Sequence, residues 1–206
     1  VTRWAEHSVS KGKMARFACA MLMSFEGTIG IYQGEELGQT ETEMEFHELT
    51  DPPAIRFWPT VKGRDGCRTP MVWEKDAKNA GFSKGKPWLP VKAEQAAKAV
   101  DQQGDDSILA FYKAMIARRK ASPAMTVGQT TFIDLPEPLL AFTRTADGET
   151  LTFVFNLSKD SQVVTVTGDA AVEFSGEAAL DTETLTLSGN GFAYLTHAGD
   201  ITLSAK

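Results

Sequence analysis

Apolar residues recur at Met14, Phe17, Ala18, Met21, Leu22 and Phe25, the i, i+3, i+4, i+7 spacing of a helix with one buried stripe. Ser8 or Ser10 stands where a cap belongs, and Gly27 is the expected stop. The stretch "TIGIYQG" then predicts a short buried strand over residues 29–32 that breaks at Gly34 into "EELG". Helix, turn, short apolar strand and acidic turn is the rhythm of an α/β layer. From Gln39 to Gln103 no period holds. Prolines and glycines punctuate this region, but Trp58, Trp73 and Trp88 give it too much aromatic surface for a disordered segment. It predicts a long ordered loop, which inside a compact domain is usually functional. A second helix is expected over residues 107–120, capped by Asp105 or Asp106. Its stripe is Ile108, Leu109, Phe111, Tyr112, Met115 and Ile116, with Arg118, Arg119 and Lys120 in the last turn and Pro123 as terminator.

After Ala124 the period changes to two. "TTFID", "LLAFTRT", "TLTFVFN", "SQVVTVT", "ETLTLS" and "GFAYLTH" alternate apolar and polar residues between "DGE", "SKD" and "SGNG" turns. This predicts an antiparallel β domain of about six strands, able to fold alone. The expected division is residues 1–123 and residues 124–206.

Composition narrows the classes. With 206 residues, 42% hydrophobic and 23% charged, the chain has the make-up of ordinary globular proteins of one or two domains. Its basic residues are scattered and the net charge is −6, so no nucleic-acid partner is expected. No apolar run approaches the roughly 20 residues of a bilayer span, so no membrane partner is expected either. Cys19 and Cys67 make no disulfide framework, which points to a reducing compartment and a cytoplasmic location. "VTRWAEHSVSKGK" opens without methionine and inside a structured segment, as expected of a piece of a longer chain.

Few residues offer chemistry. Glu35 and Glu36 come after a predicted buried strand, where α/β folds place active sites; alternatively both accept local hydrogen bonds that shape the turn. In "KGRDGCRTPMVWE", Arg64 and Arg68 flank Asp65. They form either a self-contained ion network or a site in which Asp65 holds one arginine that presents its planar fork to a polar ligand. His7, His47 and His197 share no spacing with one another or with the cysteines, so no metal site is expected. Neither cysteine has a neighbouring base, and no Gly-rich phosphate signature occurs.

Taken in order, "GTIGIYQGEELG", "DPPAIRFWP", "KGRDGCRTPMVWE", "NAGF…PWLPV" and "DDSILAFYKAMIARRK" resemble the C-terminal part of a bacterial α-glucosidase of glycoside hydrolase family 13, the α-amylase superfamily. The resemblance implies the C-terminal part of a (β/α)8 TIM barrel: helix 7, strand 8, a long loop and helix 8, followed by an antiparallel β-sandwich. It implies that the long loop walls a sugar pocket, that Arg68 contacts the non-reducing-end glucose, and that Asp65 supports it. The substrate would be an α-glucosidic oligosaccharide of the maltose or sucrose kind, with no cofactor. Family enzymes are retaining glycosidases that use two carboxyl groups about 5–5.5 Å apart. "VTRW" resembles the segment immediately C-terminal to the family's last catalytic motif, Asn-His-Asp. The nucleophile, the acid and the third Asp would thus lie upstream, as would the family's calcium loop, and no carboxylate here receives a catalytic role. "DPPAI" departs from the family pattern at Pro53 and Ala54, which bears on loop shape and substrate preference.

Three further readings stand beside hydrolysis. One is transglycosylation or isomerisation on the same scaffold. Another is a barrel-like accessory subunit such as a transporter heavy chain, and the third is a free-standing sugar-binding module. Because only one strand and two helices of a barrel are implied, residues 1–123 are expected to be covered by the rest of the barrel or by another copy.

Overall fold

The computed structural model describes residues 10–205. They divide into two compact units: residues 10–30 together with 111–205, and Ile31–Ala110.

The first unit opens with helix α1, Lys11–Ser24, whose cap Ser10 accepts a hydrogen bond from the Lys13 amide at 3.2 Å. A second long helix, α4, spans Ile108–Ala121, and a short one, α5, spans Pro123–Val127. The Ser107 hydroxyl accepts from the Ala110 amide at 3.1 Å, so Ser107 takes the capping place expected of Asp105 or Asp106. Pro123 ends α4 as expected, and it also starts α5, with Ser122 accepting from Met125.

The β region is one seven-stranded antiparallel sheet: β1 Gln129–Ile133, β2 Leu139–Ala146, β3 Glu149–Asn156, β4 Gln162–Thr167, β5 Ala170–Asp181, β6 Thr184–His197 and β7 Thr202–Ala205. The expected break at "SGNG" is instead a bend inside β6. Residues 184–187 pair with β4 and residues 192–196 pair with β3. Asn190, in the left-handed region at φ 55°, makes the bend. The β2–β3 hairpin turns on Asp147-Gly148, both at positive φ, as a two-residue hairpin loop requires.

Alternation sorts the sheet into two unlike faces. Leu139, Ala141, Val154, Val164, Val166, Leu185, Leu187, Ala193 and Leu195 form an aliphatic core. The opposite face is aromatic: Phe142 stacks on Phe153 at 5.2 Å, and Phe153 meets Tyr194 edge-on at 4.6 Å. Helix α1 lies on this face through Phe17, 5.7 Å from Phe155, and α4 through Phe111, 5.8 Å from Phe174. The Tyr194 hydroxyl donates to the Ala20 carbonyl at 2.6 Å. Burial raises the Tyr194 phenol well above its ordinary pKa.

Two expectations are corrected. Helix α1 is covered by the chain's own sheet, and its buried side is rotated from the predicted stripe. Met14, Ala15, Phe17, Cys19, Ala20 and Met23 are buried, while Ala18, Met21, Leu22 and Phe25 are half-buried. The predicted strand over residues 29–32 is unpaired backbone, with Ile31 and Tyr32 exposed at 40% and 51%. A strand exists only when paired with a neighbour, and none of the described residues pairs with it.

The second unit, Ile31–Ala110, contains the predicted long loop, residues 39–103. It is built from short turns and two short helices, α2 Pro52–Arg56 and α3 Ala93–Ala96. Leu37, Val72, Ala80 and Ala99 form its small core, with Met71, Val91 and Leu109 against it.

Candidate substrate-recognition loop

The loop around residues 62–74 is folded by carboxylates. Asp65–Cys67 is a single 3-10 turn. The Asp65 carboxylate is fully buried and is hydrogen-bonded to residues 50 and 51, not to either arginine. It accepts from the Thr50 amide at 2.6 Å, the Asp51 amide at 2.8 Å and the Thr50 hydroxyl at 3.0 Å. Burial raises this carboxyl, and the three donors outweigh burial, leaving its pKa below the ordinary aspartate value.

Asp51 is the residue that grips an arginine. Its oxygens take Arg64 Nε at 3.2 Å, Arg64 Nη2 at 3.1 Å and the Arg64 amide at 2.8 Å. The Arg64 side-chain bond is the main cause that lowers the Asp51 pKa. The expected ion network therefore forms between Asp51 and Arg64, and Asp65 ties down the backbone that carries Asp51. Nothing in the spacing links position 51 to position 64. The one available signal was Asp51 before Pro52-Pro53, the sequence of a helix start.

Two glycines make this packing possible. A side chain at Gly66 would place Cβ 2.5 Å from the Thr42 carbonyl oxygen. Gly63 sits at φ +69°, and its Cβ would meet Ala54 at 2.7 Å and Asp51 Oδ2 at 2.8 Å.

Arg68 comes directly after the turn, its amide bonded to the Asp65 carbonyl at 2.9 Å. Its side chain is half-buried, and among the described residues its guanidinium makes no hydrogen bond or ion pair, although its charge helps lower Asp51. The next residue anchors the turn. Thr69 is buried; its carbonyl accepts from Gln33 Nε2 at 3.3 Å, and its hydroxyl meets Thr42 and Gln95. These partners, scattered over more than sixty residues of chain, carry no sequence pattern.

The other candidates are accounted for locally. Glu35 Oε2 accepts from the Tyr32 amide at 3.3 Å, and Glu36 Oε2 accepts from the Gly34 amide at 2.8 Å. Both glutamates thus shape the turn after residue 32. His47 pairs with Glu45 at 3.3 Å, and His197 bonds Thr152 and Gly199; His7 lies outside the described residues. Cys19 is buried, Cys67 is exposed and neither is in a disulfide, and no metal-holding cluster occurs among the described residues. Around the loop, Trp58, Trp73, Phe82 and Trp88 are exposed, Trp88 by 68%.

Residues 1–128 match the family described as alpha amylase, catalytic domain. The chain belongs to the α-amylase family. It is 43% identical over 163 residues to a probable alpha-glucosidase of Rhizobium meliloti, covering 78% of this chain and 29% of that protein. It is 30% identical over 184 residues to an oligo-1,6-glucosidase of Heyndrickxia coagulans, covering 78% of this chain and 33% of the relative. The chain thus spans about a third of the length of these curated relatives. Among solved structures, the α-glucosyl transfer enzyme XgtA matches with a TM-score of 0.86 and 42% identity, over 96% of this chain and 38% of its own. A MutB variant solved with its substrate sucrose matches with a TM-score of 0.76 and 25% identity, over 90% of this chain and 38% of its own.

Proposed function

We propose that the α-amylase-family chain serves a retaining α-glucosidase as one wall of the sugar pocket, with Arg68 contacting the terminal glucose. The observation that carries this is Arg68 itself: a donor fork with no hydrogen bond or ion pair among the described residues, on a loop pinned by buried carboxylates. An arginine on a fixed frame offers hydrogen bonds to sugar hydroxyls at little further entropy cost.

The barrel reading has support of its own. Arg16 on α1 lies 5.5 Å from the Phe111 ring, and Met23 and Phe25 at the end of α1 accept from Arg119. Contacts that advance together along both helices make α1 and α4 parallel. Successive helices of a (β/α)8 barrel are parallel because a strand returns between them; here residues 29–32 would be that strand and residues 39–103 the loop that follows it. In this reading the β region is the family's C-terminal sandwich, and the protein works in the cytoplasm. Bond cleavage proceeds by double displacement between two carboxyl groups, and this chain contributes recognition.

The test is hydrolysis of a nitrophenyl α-glucoside by the full-length protein and by Arg68→Ala. Loss of one charge-assisted hydrogen bond, worth about 1.5–3 kcal/mol, lowers kcat/KM about 10- to 150-fold. A full-length protein inactive on every α-glucoside sinks the enzyme reading; an Arg68→Ala variant as active as its parent sinks the residue assignment. The 42% identity to an enzyme described by glucosyl transfer favours a second reading, transfer to a sugar acceptor. With maltose as sole substrate, products longer than maltose identify transfer, and glucose alone identifies hydrolysis.

A further inference from the structure

We propose that Gln95 is a positioning residue for Arg68, an inference that rests on the sugar-contacting role proposed for Arg68 above. All the groups concerned belong to the unit Ile31–Ala110. Because the Arg68 guanidinium makes no hydrogen bond or ion pair among the described residues, its reach is set by the backbone that carries it. On the N-terminal side that backbone is held by the Arg68 amide, which donates to the Asp65 carbonyl at 2.9 Å. On the C-terminal side the amides of residues 69–72 make no backbone–backbone hydrogen bond among the described residues, and Pro70 has no N–H to give. The hold there falls to Thr69, whose carbonyl accepts from Gln33 Nε2 at 3.3 Å and whose side chain is buried.

Gln95, on the short helix α3, supplies the buried partner of that side chain. Its Nε2 donates to the Thr69 hydroxyl, and its Oε1 accepts from the Lys92 amide at 3.0 Å. Only the oxygen end of a carboxamide can meet an amide donor, so the bond to Lys92 commits the nitrogen end to Thr69. Both ends of a buried polar group are thereby used, as burial requires. Helix α3 is itself tied down. The Gln95 carbonyl accepts from Gln39 Nε2 at 3.1 Å, and Lys98 Nζ donates to the Gly38 carbonyl at 2.8 Å. Beyond the helix, the Val100 amide donates to the Val72 carbonyl at 3.2 Å and the Asp101 amide to the Trp73 carbonyl at 3.1 Å. Gln95 therefore joins a braced helix to the residue after Arg68. Arg68 carries its fork at the end of a long side chain, so a small rotation of the backbone at 68–69 is enlarged at the guanidinium, and holding Thr69 preorganises it.

The test uses the full-length protein, with Gln95→Met made alone and together with Arg68→Ala. Methionine is unbranched and flexible like glutamine but lacks the carboxamide. A positioning residue acts only through the group it positions, so its effect depends on that group being present. Gln95→Met is expected to raise KM for the nitrophenyl α-glucoside about fivefold or more, with kcat less affected. In the Arg68→Ala background the same substitution is expected to change KM less than about twofold. The Arg68 amide is expected to exchange about tenfold faster in Gln95→Met, while amides 151–155 of β3 hold their rates. An unchanged KM, or an equal rise in both backgrounds, overturns the positioning role. Should Gln95→Met not fold, Thr69→Val takes its place in both backgrounds with the same expectations, and Thr69→Ser, which keeps the hydroxyl, is expected to retain the parent KM. Where Arg68→Ala is as active as the parent, or the full-length protein cleaves no α-glucoside, the pocket reading fails by itself. Exchange at the Arg68 amide then decides the anchor, supported by a faster rate and overturned by an unchanged one.

Discussion

At the scale of single residues, the recognition loop is organised by two aspartates that divide the work. Asp65 fixes backbone and Asp51 fixes Arg64, and the product of both is a frame that carries Arg68, whose guanidinium has no partner among the described residues. Replacing Asp65 by alanine leaves the Thr50 and Asp51 amides, which both donate to one Asp65 oxygen, without their acceptor. The expected cost is about 2–3 kcal/mol, from donors left unsatisfied in a buried site, read as a lower thermal midpoint and faster exchange over residues 50–68. The same pair makes the loop sensitive to acid. Both carboxyls have folded pKa values below the ordinary one, so their stabilisation is present above the unfolded value of about 4 and is lost as pH falls through the lower folded values. Exchange over residues 50–68, corrected for its intrinsic rate, is expected to rise as pH falls below about 4; a flat profile contradicts this. Arg64, Asp65 and Arg68 were legible in the sequence as a charged cluster. Their pairing was not, because the decisive partner lies thirteen residues away across a double proline.

At the scale of elements, legibility followed periodicity. Helices α1 and α4 and strands β1 to β4 stand close to where the apolar spacing puts them. Strand β5 was invisible for a physical reason. Val172 and Phe174 have the same parity yet lie on opposite faces, Val172 against the aliphatic core and Phe174 beside Tyr194. A bulge between them shifts the register, and a second bulge between Gly176 and Ala178 shifts it back. A period-two reading cannot follow a strand that changes phase twice. The bulges also bring Gly176 against Phe192, where a Cβ would lie 2.4 Å from the ring. The join between sheet and α1 is testable at Tyr194, whose hydroxyl is buried on the Ala20 carbonyl. Tyr194→Phe keeps the ring and removes one buried hydrogen bond, leaving that carbonyl short of a donor. The expected loss is about 1–2 kcal/mol, measured by denaturant unfolding; a variant as stable as the parent means the bond contributes nothing.

At the scale of the whole chain, the sequence places its boundary near residue 123, where helical spacing gives way to alternation, and the β region reads as able to fold alone. The packing of α1 and α4 on the aromatic face argues otherwise. Phe153, Phe155, Phe192 and Tyr194 are all but fully buried, with Phe17 of α1 and Phe111 of α4 among the rings against them. Without the helices, Tyr194 loses its acceptor and Arg144 loses the Ser24 carbonyl. Each large aromatic returned to water forfeits about 1.5–3 kcal/mol, and several together approach the whole margin of about 5–15 kcal/mol that a domain has. Residues 124–206 produced alone are therefore expected to bind a hydrophobic dye and to unfold without a sharp transition. Residues 10–30 joined by a flexible linker to residues 108–206 are expected to unfold cooperatively and leave the dye unbound. Calorimetry and dye fluorescence on the two chains decide between them: a cooperative transition for residues 124–206 at the same midpoint as the linked chain would mean that the helices lean on a sheet already complete without them.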